Sequence, residues 1–277
     1  MLLQVYKTTL KNLVRSKTFW LILCVLLIIS IYSAISGYYG GGDLTEDYVL
    51  LFQKYVQTVP NSGVSLLMYP LPLFTVITVS LILSRDYGDD FFEIEKANGI
   101  NVICYLIGRI IALITINCLV LIFVHLLMMN INVFTRGGVE DWSIGTFLAD
   151  SLIRVVRFDI CVALPTIIFY IGVTYALGTI FKNSIIPSVL SLGYVSFFYC
   201  SFLLFRHKFA EDYFNSFSPM PLNLRKYFHL YDTEWFDDYI LRNDLSVEKV
   251  LFCIAFLVGV AVLCSAVSYL RIRKRSV

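Results

Sequence analysis

Six long apolar blocks, separated by polar stretches, dominate this chain and decide what it can fold into. A helix needs about 20 predominantly apolar residues to cross a hydrocarbon core about 30 Å thick. Blocks at Phe19–Ser36, Val64–Leu83, Tyr105–Met129, Asp159–Phe181, Ile185–Phe205 and Lys249–Leu270 approach or exceed that length. Apolar types make up 58% of the residues and charged types only 15%, with a mean hydropathy of +0.76. A soluble domain carries about 45–50% apolar and about 25% charged residues, so one soluble core has no room for this much apolar surface. The expected fold class is all-α integral membrane, with six transmembrane helices in a single domain covering residues 1–277. The first block lacks the small-residue cleavage pattern of a signal peptide and is expected to stay in the mature protein.

Orientation follows from the positive charges. With the N-terminus inside, the cytoplasmic pieces hold 12 of the 22 lysines and arginines, and the external pieces hold 15 of the 20 acidic residues. Lys and Arg density beside the spans sets topology, so both termini are expected in the cytoplasm. The net charge of +2 is too small to suggest nucleic-acid binding. Six of the seven cysteines fall within the apolar blocks and Cys104 at the start of one. They read as small core residues, not as a disulfide framework. No CxxC pair or Cys/His cluster with zinc spacing occurs, and no metal is expected.

The segments between the blocks are more specific. Residues 1–17 place Leu3, Tyr6, Leu10, Leu13 and Val14 at helical spacing with Lys7, Lys11 and Arg15 on another face. This pattern predicts an amphipathic helix lying on the cytoplasmic leaflet against membrane lipids, although the same cations also suit plain positive-inside flanking sequence. Residues 84–104 hold Asp86, Asp89, Asp90, Glu93 and Glu95 in otherwise positive territory, an acidic surface suited to a basic partner. Residues 206–248 mix prolines, charges and aromatics such as Tyr227, Tyr231 and Trp235. These suit either the outer membrane–water interface or an ordinary folded external loop.

The run from Ser84 to Glu93, followed by Asn98-Gly99-Ile100 and Gly108-Arg109, resembles the cytoplasmic loop of ABC-2 type transporter permeases. In that family an acidic stretch after the second span leads through a Pro or Gly turn into a Gly-Lys or Gly-Arg pair at the third. Asp86, Glu93, Gly99, Gly108 and Arg109 match this pattern, while acidic and aromatic residues near Asp89–Phe91 replace the family's Gly-Thr pair. The whole layout also resembles the family: an N-terminal interfacial helix, six spans and a long external segment between the fifth and sixth. The resemblance implies an ABC-2 permease-like fold in the cell membrane, here a bacterial plasma membrane. It implies a cytoplasmic ABC ATPase subunit docked on Asp86, Asp89, Asp90, Glu93 and Gly99, and a second permease chain, either identical or related. The chain has no GxxxxGK[ST] phosphate loop, so ATP would be bound by the partner, and no cofactor is expected in this chain.

Within the blocks, His125 and Asp159 are the candidate pathway or gating residues. The alternatives are a hydrogen-bonded packing role for His125 and an interfacial anchor for Asp159, beside Arg154 and Arg157. Pro70, Pro72, Pro165 and Pro187 are candidate kink sites. An intramembrane enzyme needs convergent polar groups at one depth. No HExxH, GxSxG or paired acidic motif lies in any block, so no catalytic residue is expected. A secondary transporter would bring mid-membrane charges or internal repeats, and neither is evident. An ATP-independent immunity or sensor protein is a further alternative. The aromatic content of the fourth and fifth blocks, including Phe169, Tyr170, Tyr175 and Tyr194, points to a hydrophobic or amphipathic cargo such as a peptide, lipid or drug. Lipid-facing packing accounts for the same residues.

Overall fold

The computed structural model describes residues 1–38, 70–88, 93–94, 97–135, 163–181, 185–204 and 247–275. Among them the secondary structure is helical throughout: α1 (Leu2–Arg15), α2 (Lys17–Tyr38), α3 (Pro70–Gly88), α4 (Val102–Thr135), α5 (Leu164–Phe181), α6 (Ile185–Leu204) and α7 (Val247–Arg275). Each of the six apolar blocks therefore carries a helix over its described part. Three helical stretches are long and apolar enough to cross a membrane: Val102–Val124, Leu164–Phe181 and Ile254–Lys274. Counting the bent pair formed by Leu2–Arg15 and Lys17–Ile29 brings the total to four, and Ile185–Ser196 is a shorter apolar helix. Of the expected external loop, residues 206–248, the stretch 206–246 lies outside the described residues, and Val247 and Glu248 already belong to α7.

The break between α1 and α2 falls at Ser16, whose extended backbone (φ −74°, ψ 123°) ends the first helix. The two axes differ by 69°. Ser16 N–H donates to the Leu13 carbonyl at 2.9 Å, and the Trp20 indole N–H reaches back to the Val14 carbonyl at 2.7 Å. Two carbonyls left over at the end of α1 are thereby satisfied, and the bend is held from both sides.

α1 is amphipathic, but its buried stripe is Val5, Thr9 and Leu13, at i, i+4 and i+8. Of the face expected from the sequence, Leu13 is buried, whereas Leu3 is 60% and Val14 44% exposed. The difference is tertiary. α1 lies along the first turns of α4, where a Cβ added to Gly108 would stand 3.0 Å from the Val5 side chain. The missing side chain at 108 lets the two helices approach closely, and that contact selects which stripe of α1 is covered.

α5 is the central helix, with 67% of its apolar window buried, and α7 is peripheral, with 17%. Gly172 of α5 meets the Ala261 backbone of α7 so closely that an added Cβ would lie 2.8 Å from the Ala261 Cα. The main apolar cluster joins Leu71, Phe74 and Leu83 of α3 to Leu113 of α4 and to Ile167, Ile171 and Tyr175 of α5. α7 turns Leu251, Phe252, Val262, Leu263 and Leu270 outward, as does a helix whose outer face meets lipid. Within the described residues Pro70, Pro72 and Pro187 fall in a helix's first turn, where a proline ring removes no helical hydrogen bond, while Ala163, just before α5 and its Pro165, is already π-helical.

Side-chain bonds fix the relative directions of the helices. The C-terminal part of α3 meets α4 near its start (Asp86 with Arg109) and α6 near its start (Ser188 with Ser80, 2.6 Å). The C-terminal parts of α5 and α7 meet each other (Thr179 with Ser268, 3.4 Å), and α5 also meets α3 there (Tyr175 with Asp86, 3.3 Å). The C-terminal parts of α3, α5 and α7, the starts of α4 and α6, and α1 all gather at one end.

Candidate functional site

At that shared end sits a buried polar knot built from four helices. Asp86, in the last turn of α3, and Arg109, in the second turn of α4, are 6% and 1% exposed. One Arg109 terminal nitrogen donates to Asp86 Oδ1 at 2.5 Å and to the Tyr105 hydroxyl, one turn back on α4, at 3.3 Å. The other donates to Thr9 Oγ1 of α1 at 2.9 Å, while the Thr9 hydroxyl donates to the Val5 carbonyl at 2.7 Å. From α5, the Tyr175 hydroxyl donates to Asp86 Oδ2 at 3.3 Å. The guanidinium carbon lies 5.0 Å from the centre of the Tyr105 ring, within cation–π range.

Local sequence explains why these groups converge. Tyr105 and Arg109 are four apart on α4 and share a face. Gly108, beside them, admits α1 and so brings Thr9 within reach of the guanidinium. A charge removed from water must be paired and hydrogen-bonded, and here both oxygens of the carboxylate and both terminal nitrogens of the guanidinium have protein partners. Such a pair adds little net stability over a well-packed apolar substitute, yet losing one partner costs about 3–5 kcal/mol. It therefore specifies an arrangement: α1, α3, α4 and α5 can shift relative to one another only by breaking it.

A second polar layer lies about 12 Å deeper, eight residues along α4 at 1.5 Å per residue. Asn117 accepts from Thr75 Oγ1 at 2.8 Å and donates to Thr78 Oγ1 at 3.3 Å and to the Leu113 carbonyl at 2.8 Å. Thr174 of α5 donates to Ser191 of α6 at 3.0 Å. These bonds join α3 to α4 and α5 to α6 within apolar surroundings, where small hydroxyl and amide side chains hold helices together.

Before α4, the described residues 93–94 and 97–99 face outward and lead into a tight turn. Asn98 N–H bonds the Ile94 carbonyl at 3.1 Å, Gly99 has φ +79°, and Asn101 accepts from Ile103 N–H at 3.0 Å, an N-cap on α4. Left-handed φ is costly for residues with a Cβ, which accounts for glycine at 99. Glu93, Ile94, Ala97, Asn98 and Gly99 are exposed, while Ile100 is buried against Val5 and Tyr105. The turn is thus anchored directly beneath the knot.

Of the five residues expected on a docking surface, Glu93 and Gly99 face outward, and Asp86 faces inward to Arg109 and Tyr175. Asp89, Asp90 and Asp159 lie outside the described residues. His125 belongs to α4, with its side chain outside the described set. Thr9 and Asn117 are not singled out by the sequence, which marks Tyr105 only as the start of an apolar block and Tyr175 only as one of its block's aromatics. Among the described residues no group of three or more His, Cys, Asp or Glu side chains has metal-site geometry, and Cys24, Cys104 and Cys264 are free thiols. In comparisons with known proteins, no family model matches the chain and no curated protein matches it.

Proposed function

We infer that the chain is the membrane-spanning permease subunit of an ATP-binding cassette exporter of the ABC-2 type, with six spans and both termini in the cytoplasm. The observation that carries this reading is the Asp86–Arg109 knot directly behind an exposed, glycine-turned segment. A soluble ATPase that grips Glu93–Gly99 from the cytoplasm acts on a segment joined to α1, α3, α4 and α5 through one ion pair. Its closure on ATP can then move those helices together and alternate access to the two sides. In this reading Asp86 transmits the partner's movement from inside the bundle, Glu93 and Gly99 touch the partner, and Asp89 and Asp90 extend the same acidic surface.

Three further features support it. The alternating direction of α2 to α7 is what six consecutive spans require. The shared end carries the exposed cations Lys7, Lys11 and Arg15 of α1 and Arg271, Arg273 and Lys274 of α7, as the positive-inside tendency asks of a cytoplasmic face. α1, bent 69° from α2, has the angle of a helix lying along the interface while the next one enters the membrane. A second permease chain, identical or related, completes the translocation path. The outward apolar faces of α4, α6 and α7 meet lipid or that second chain, and the cargo in this reading is hydrophobic or amphipathic, in keeping with the aromatic cluster of Phe169, Tyr170 and Tyr194 packed inside the bundle.

Co-purification from the native membrane tests the reading. The wild-type chain is expected to bring down a nucleotide-binding subunit, and Glu93→Lys, at an exposed position, is expected to lose it while the chain itself is recovered at wild-type yield. Recovery of the ATPase by both proteins would remove this segment as the docking site. Its absence from both would remove the transporter reading.

A further inference from the structure

Beside the knot, where α1 bends into α2, a small recess opens between α1, the end of α3 and the start of α4. Its volume is about 110 Å³, and its polar lining comes from Asn12, Ser16, Ser84, Arg85 and Arg109. A water molecule's share of liquid volume is about 30 Å³, so the recess holds a group larger than one water. The lining is chemically one-sided. Among the described residues it offers the Arg85 guanidinium, a carboxamide and two hydroxyls and no carboxylate, while the terminal nitrogens of Arg109 are already taken by Asp86, Thr9 and Tyr105. Asp86, the nearest acid in sequence, is turned toward Arg109 and Tyr175 and does not line the recess.

The charge balance follows. Asp86 neutralises Arg109, and Arg85, its neighbour on α3 and half-buried, leaves the recess with an excess positive charge. Guanidinium forks match the planar or tetrahedral oxygens of carboxylate and phosphate, while hydroxyl and amide donors fill the remaining lone pairs.

We propose that this recess is an anion site for a phosphate group, held by Arg85 with Asn12, Ser16 and Ser84 as neutral donors, and that its occupant clamps the α1–α2 bend to the end of α3. The phosphate belongs to an anionic lipid headgroup or is a free phosphate, and the two share the chemistry the recess reads. The site does not depend on the ATPase partner, so its failure and the failure of the transporter reading are separate results.

The test is calorimetric titration of the detergent-solubilised full chain with dihexanoyl phosphatidic acid, with inorganic phosphate and with dihexanoyl phosphatidylcholine as the zwitterionic control. Phosphatidic acid is expected to bind and Arg85→Gln to weaken it by about tenfold or more, the loss of one charge-assisted contact. Asn12→Leu, which leaves both arginines in place, is expected to weaken it by a smaller factor. Lys7→Gln, removing an exposed α1 cation outside the recess, is expected to leave binding within about twofold, since exposed charges count for little. Competition by inorganic phosphate at similar affinity identifies a free-phosphate site, and phosphatidic acid binding without such competition identifies a headgroup site. Absence of binding by both probes, or equal weakening by Lys7→Gln and Arg85→Gln, would overturn the proposal.

Discussion

Asp86 and Arg109 stand 23 residues apart in sequence, on consecutive helices, and meet at 2.5 Å with 5% and 2% of their side chains accessible. Thr9 joins them from the first helix and Tyr175 from the fifth, 100 and 89 residues away. An ion pair placed at the meeting point of four helices has little to contribute as a surface contact and much as a fixed register between elements.

The energetic asymmetry of a buried pair gives the first prediction. Arg109→Met or Asp86→Leu alone leaves one charge without its partner and is expected to destabilise the folded chain by about 3–5 kcal/mol. The double variant removes both charges and should recover most of that loss. Thermal unfolding of the four proteins in one detergent completes the cycle. Additive losses in the double variant would mean that the pair is not energetically coupled.

The close crossing of α1 and α4 gives the second. A side chain at 108 meets Val5 at 3.0 Å or less, so Gly108→Val is expected to push α1 off α4 at a cost of about 1–3 kcal/mol. Val5→Ala in the same chain should recover part of it. Proteolysis within α1 reads the displacement, and an unchanged cleavage rate in Gly108→Val would show that α1 has slack here.

Gly99 supplies the third. An added Cβ meets nothing within 4 Å, and only the φ of +79° opposes it. Gly99→Ala is therefore expected to cost about 1–2 kcal/mol through backbone strain alone, and Gly99→Asn less, because Asn tolerates the left-handed region. Equal stability of the Ala and glycine proteins would mean that the turn relaxes freely.

The Asn117 layer supplies the fourth. Asn117→Leu breaks the bonds to Thr75 and Thr78 and is expected to cost about 0.6–2 kcal/mol, the range for interhelical hydrogen bonds in membranes. The loss should be smaller in a Thr75→Val background, where one of the two bonds is already gone. An identical loss in both backgrounds would separate Asn117 from Thr75.

Much of the helical framework was legible because it is written locally. Apolar runs mark where helices lie. The polar knot was not legible as such, because nothing in any partner's own stretch points to the others. Thr9 sits unremarked in an amphipathic repeat, Tyr175 in an aromatic apolar block, and Asp86 at the edge of an acidic run that reads as surface. Only the packing of α1 on Gly108 and of α5 on α3 brings them together. The stripe of α1 that packs on α4 was not legible for the same reason: spacing finds the apolar positions of a helix, but its neighbour decides which of them it covers. Asn117, a lone carboxamide amid apolar residues, carries a visible local signal, as do Asp86 and Arg109 through the loop pattern that resembles the family.

Photo-crosslinking from position 93 in intact cells tests the central claim most directly. A crosslinking amino acid in place of Glu93 is expected to capture a nucleotide-binding protein, identified by mass spectrometry, while the same group at Leu263, on the outward apolar face of α7, is expected to capture none. Crosslinks from position 93 only to extracytoplasmic proteins, or to nothing while the chain is folded and in the membrane, would contradict the account.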